Sequence, residues 1–150
     1  MSDIVDKILA ISGLLSLGGC SDEQIKEAEE KLGLVFPAEY KDYVKQFGAI
    51  SFTGTEWTGL NAVGYLNVIT ETLTEKERYD SFPEKHFVLE NLGIDGILVI
   101  CDEEGKVFSF NGDKESLLTQ SISEYLDQCI EANTFQESER SSDSDNKTEE

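Results

Sequence analysis

One histidine, three cysteines and one run of carboxylates are the groups in this chain that could do chemistry. His86 would have to supply any imidazole base, for a serine or a cysteine nucleophile alike. It stands between Lys85 and Phe87 at the start of an apolar run, with no nucleophile in a motif context, and reads as a strand-edge residue. Cys20, Cys101 and Cys129 are odd in number and widely spaced, with no CxxC or Cys/His ligand pattern, so neither a disulfide framework nor a zinc site is expected. Cys101 and Cys129 lie in apolar patterns and read as small core residues, and free thiols fit a reducing cytoplasm. Asp102-Glu103-Glu104 has the density of a carboxylate pair or a divalent-cation site. Its place between two apolar runs makes it a hairpin tip instead, and a compact negative patch that a partner could use. Gly18-Gly19 is not followed by Lys-Ser/Thr and no GxGxxG occurs, so no phosphate loop is expected. The reading at this level is a chain with no catalytic residue, no cofactor and no metal.

The elements that would carry these residues follow from periodicity. Ile4, Val5, Ile8, Leu9 and then Leu15 follow a helical stripe, and Asp3 and Asp6 stand where a signal peptide wants basic residues. No apolar run approaches the length of a membrane span, so a soluble, cytoplasmic protein is expected. Ser21 and Gln24 form a capping box ahead of a helix with Ile25, Ala28 and Leu32 on its buried face, and Gly33 ends it. Pro37 opens a second helix with Tyr40, Tyr43, Val44 and Phe47 on one face, closed by Gly48. Residues 49–52 read as a strand, followed by a Gly- and Thr-rich loop around Trp57. Residues 60–66 are ambiguous, with Gly64 arguing for a turn or a short strand. A polar helix is expected over 67–79, with Ile69 and Leu73 one turn apart. Strands are expected over 87–89, 97–101 and 107–110, the middle one apolar throughout as if covered on both faces. Asn111-Gly112 is a further turn signal, and Ile122, Tyr125, Leu126, Cys129 and Ile130 mark a closing helix. Residues 1–135 therefore predict one α+β domain, a mainly antiparallel sheet packed against N- and C-terminal helices. Residues 136–150 predict an acidic, disordered tail.

Charge narrows the partners. The chain has 31 acidic against 12 basic residues, a net charge of −19. Such a surface repels DNA, RNA and anionic membranes, and suits a basic protein partner. A saline habitat would favour the same excess. The acidic candidates for contact are Glu56, Asp95, Asp102, Glu103 and Glu104, at turns and strand ends. Trp57 reads either as an aromatic anchor at an interface or as a cap on the core.

Ile25, Glu29, Leu32-Gly33, Leu34, Phe36-Pro37, Tyr40, Gly48, Trp57 and Gly59-Leu60 form an ordered set. With the Asn91–Gly96 segment, the Asp102–Gly105 turn and Ser123-Glu124-Tyr125-Leu126, it resembles the SUKH superfamily across about residues 21–129. Phe36 departs from the commoner leucine before the proline, a conservative change. The resemblance implies a SUKH-like α+β fold without catalytic activity. Bacterial members are immunity proteins that bind a toxin and block its active site, and the yeast branch regulates cell-wall synthesis. It implies as partner a cognate toxin, often a nuclease; with the acidic surface, a basic C-terminal toxin domain encoded by an adjacent gene is expected, and a chain that is itself a monomer or weak homodimer. The alternative is a regulatory scaffold that binds other proteins.

Overall fold

The computed structural model describes residues 3–93 and 96–132. Ile94, Asp95 and the expected tail lie outside the described residues. The first helix, α1 (Asp3–Leu9), buries Ile4, Val5 and Ile8 and is followed by a short strand, β1 (Leu15–Ser16). The expected helical stripe thus breaks after Leu9. Gly13 turns the chain at a φ of 74°, and Leu15 belongs to a sheet instead.

Helix α2 (Asp22–Leu32) starts on the capping box: Gln24 N–H donates to Ser21 Oγ at 3.2 Å and Ser21 N–H to Gln24 Oε1 at 2.9 Å. Gly33, left-handed at φ 68°, ends it, and Lys85 donates to the Gly33 carbonyl at 2.6 Å. Helix α3 (Ala38–Phe47) follows with Pro37 at its N-cap and buries the four residues expected of it.

Two antiparallel sheets hold the middle of the chain. In the first, β1 pairs with β2 (Ile50–Phe52), which pairs with β3 (Thr55–Trp57). In the second, β4 (Phe87–Asn91), β5 (Leu98–Cys101), β6 (Val107–Phe110) and β7 (Glu115–Thr119) lie in chain order. A 3-10 turn at Gly64–Leu66 leads to α4 (Val68–Arg78), capped by Asn67. A closing helix, α5, spans 122–132. Glu39 of α3 caps it, accepting from Ile122 N–H at 2.9 Å. The α+β class with antiparallel sheets is as expected, and β1, β3 and β7 are additions to it.

Thr58 joins the two sheets. Its N–H donates to the Leu89 carbonyl at 2.8 Å and its hydroxyl to the Val88 carbonyl at 2.7 Å. Tyr43 donates to the Thr58 carbonyl at 2.8 Å and Tyr40 shares a hydrogen bond with Oγ1. Phe36, Tyr40, Tyr43, Phe87 and Trp57 pack around this joint with ring centroids 4.6–5.4 Å apart. Gly59 is required just beyond it, because a Cβ there would lie 1.7 Å from the Gly48 carbonyl oxygen.

The expected polar helix forms as α4, but its faces are unusual. It buries Val68, Glu71, Thr72 and Glu75, while Leu73 is 43% exposed. Thr72 accepts from Val88 N–H and Glu71 from Asn91 Nδ2 at 2.7 Å, so hydrogen bonds to β4 hold this polar face inward.

Candidate interaction surface

The six residues expected at a partner surface fall in different places. Trp57 corrects the anchor reading. It is fully buried, edge-on to Tyr43 and stacked on Tyr125 at 6.2 Å, so its side chain has no face to offer a partner. The cause is register: Trp57 pairs with Ile50, and both point from the sheet into the core. Asp95 lies outside the described residues. Asp102, Glu103 and Glu104 form the β5–β6 hairpin turn, as expected, but two of them are engaged internally. Asp102 Oδ1 accepts from the N–H groups of Glu104 and Lys106, at 3.0 and 2.9 Å. Glu103 Oε2 accepts from Val35 N–H at 2.7 Å, tying the hairpin to the α2–α3 loop. Glu104 is exposed, 3.4 Å from Lys106.

Glu56 is the acidic candidate on an open face. The register sets Leu15, Ser51 and Glu56 in one row across the first sheet, opposite to the row of Ile50 and Trp57. Tyr65 reaches over from the 3-10 turn and donates to Glu56 Oε1 at 2.9 Å. Glu56 and the Asp102–Glu104 turn are not brought together. β4 pairs its Asn91 end with Leu98 and its Phe87 end with Cys101, so the acidic turn lies at the far end of the second sheet from Glu90 and Glu56.

Glu90 is a residue the sequence reading passed over. A bulge between Val88 and Glu90 shifts the β4 register, so Glu90 pairs with Val99 and faces the helix side of the sheet rather than sharing the Val88 face. There Tyr125 of α5 donates to Glu90 Oε1 at 2.6 Å. Glu90 is 5% exposed and lines a cleft of about 430 Å³ between the β2–β3 turn and the end of β4. Burial pushes its carboxyl pKa up, the Tyr125 hydrogen bond opposes this, and the Glu56 charge pushes it up again. Phe52, Thr55, Glu56, Asn91 and Leu92 share the lining, and no lysine, arginine or histidine is among the residues described there.

The groups capable of nucleophilic chemistry lie inward. All three cysteines are buried, and burial pushes the Cys129 thiol up to about 12 and Cys101 well above its ordinary range. His86 Nδ1 is 2.7 Å from the Glu84 carbonyl oxygen, and Nε2 is 3.0 Å from Glu115 Oε2, a strand-edge setting.

A SUKH family described as SMI1-KNR4 cell-wall matches residues 1–131. The chain belongs to the SUKH family. The match runs from the first residue, so α1 and β1, undiagnostic as sequence, are part of the family domain. No curated protein matches the chain. SUKH membership is consistent with toxin immunity and with protein–protein binding as the mode of action. Among the described residues of this SUKH protein, no helix is long and apolar enough to cross a membrane.

Proposed function

We infer that this SUKH protein is an immunity protein that binds the toxin domain encoded beside it and occludes its active or nucleic-acid-binding surface. The observation that carries the reading is the division of the side chains. Thiols and three of the tyrosines are packed inside, while the solvent face is carboxylate-rich on a chain of net charge −19. Such a surface acts by meeting another surface. A nuclease needs cationic groups to hold phosphate, so an acidic binder can compete for them. Charge complementarity of this size speeds capture by about 10- to 1,000-fold, falling with ionic strength. The chain acts in the cytoplasm, as one domain over residues 1–135 with the acidic tail as an extension.

Calorimetric titration of the purified toxin domain from the adjacent gene tests this. A one-to-one complex that weakens as salt rises is expected, and absence of a complex at low salt overturns the reading. The family description also names the cell wall, which favours a second reading, a scaffold for cell-wall regulators. Binding of several such regulators, with none to the neighbouring toxin domain, would establish that alternative.

A further inference from the structure

The charges of this chain are unevenly spread. Residues 8–21 and 46–70 contain one charged side chain, Glu56, although 29% of the chain is charged. These two stretches build the three-stranded sheet and the loops beside it. They also hold half of the large apolar side chains exposed among the described residues. Leu15 is 69% exposed, Leu17 52%, Val63 89% and Tyr65 53%, with Leu9 at the end of α1 the fifth.

Leu15, Leu17 and Tyr65 gather along one face of the sheet. Leu15 and Glu56 flank Ser51 in one row of the sheet, and Tyr65 is hydrogen-bonded to Glu56. Leu17 continues β1 two residues beyond Leu15, its N–H donating to the Ala49 carbonyl. Asn61 ties the 61–65 loop to that segment by donating to the Gly18 and Gly19 carbonyls at 3.0 and 2.8 Å. Single exposed apolar residues are ordinary on a protein surface, whereas a charge-depleted group of them on one sheet face has the composition of an interface centre. Beside it opens the cleft with Glu56 at its rim and Glu90 in its wall, lined by no cationic side chain among the described residues.

We propose that the outer face of the three-stranded sheet is the docking surface for the partner, which covers Leu15 and Tyr65 with apolar side chains and sends an arginine or lysine into the cleft toward Glu56 and Glu90. The proposal builds on the immunity reading and adds the location and chemistry of the contact. Charge complementarity selects this occupant. A second copy of the chain would bring another net charge of −19 and a second carboxylate to the same cleft, whereas a basic partner supplies the missing cation. The acidic remainder of the surface then serves long-range attraction, and the uncharged sheet face makes the close contact.

The test uses the full chain and the toxin domain of the adjacent gene. Leu15→Asp and Glu56→Lys alter exposed positions, and Glu30→Lys changes one exposed charge on α2 as a control, with circular dichroism confirming the fold of each. Loss of an interface centre weakens binding by about 30-fold or more. That loss is expected for Leu15→Asp and for Glu56→Lys, with Glu30→Lys within about threefold and the Glu56→Lys complex less sensitive to salt. A wild-type complex that both sheet-face variants match in affinity overturns the docking face and leaves the immunity reading standing. No complex with the wild type overturns both. A wild-type dimer in sedimentation equilibrium that Leu15→Asp dissolves assigns the face to a second copy and overturns the proposal.

Discussion

Tyr125 donates its hydroxyl hydrogen to Glu90 Oε1 across 2.6 Å, joining the closing helix to the bulged strand β4 beneath the cleft. The residue that supplies a carboxylate to the proposed contact surface is thereby also part of the core. Removing the donor leaves a buried acceptor with less than its share of hydrogen bonds. Tyr125→Phe should lower the unfolding free energy by about 2 kcal/mol, typical of a hydrogen bond to a charged group. Glu90→Gln retains an acceptor and should cost less. Urea unfolding of Tyr125→Phe, Glu90→Leu and their double mutant gives the coupling, since leucine removes the acceptor, and additivity would show that the pair contributes nothing.

Stability should fall as pH rises through the weakly acidic range. Burial pushes the carboxyls of Glu75 and Glu90 above their ordinary 4.5, with Glu71 adding to the first and Glu56 to the second. Each folded-state pKa then exceeds the unfolded one, so the native state binds the extra proton between them. The contribution is complete below the unfolded pKa and is lost as pH climbs through the folded pKa. Self-repulsion of the net negative charge acts in the same direction, so the Glu75→Gln variant isolates the local effect. Its urea midpoint should vary less with pH than that of the wild type, and identical slopes would contradict the assignment.

Two glycines should differ in what they tolerate. Gly13→Ala meets open space and bears only the strain of a φ of 74°, about 1 kcal/mol. Gly59→Ala drives a methyl group into the Gly48 carbonyl and should cost about 3 kcal/mol or more, because backbone has to move. Thermal melting of both separates them, and equal losses would mean that the 48–59 contact is looser than described.

The capping box at Ser21 should be worth about 1 kcal/mol, the usual loss for Ser→Ala at an N-cap. Ser21→Ala should lower the unfolding free energy measured in urea by that amount, and toxin affinity should fall no more than stability does, because α2 reaches the 61–65 loop through the Gln24–Asn61 hydrogen bond rather than forming the sheet face itself. A larger loss of affinity than of stability would place α2 in the interface.

The helices were legible because caps and 3.6-residue stripes are local signals. Ser21 with Gln24, and Tyr40 through Phe47, specify their helices and buried faces without knowledge of the rest. The first sheet was much less legible. β1 is two residues long, and Leu15 continues an apolar spacing that suits α1 equally well until Gly13 turns the chain. Trp57 could be placed only by pairing, since its burial depends on Ile50 being its cross-strand partner. Glu90 points as it does because of a bulge, and no residue pattern announces one. The buried face of α4 was the least legible, because Glu71 and Thr72 accept hydrogen bonds from β4 and turn inward while Leu73, one turn from the partly buried Ile69, stays exposed.

The most direct test of occlusion is to titrate the toxin domain's own activity with the intact chain. Blocking by a stoichiometric binder predicts a linear fall to background at one equivalent, immediate and reversed by high salt. Inhibition that is complete at a small fraction of an equivalent and deepens with time would show turnover by this protein, and full toxin activity at several equivalents would show that it does not bind; either result contradicts the proposed function.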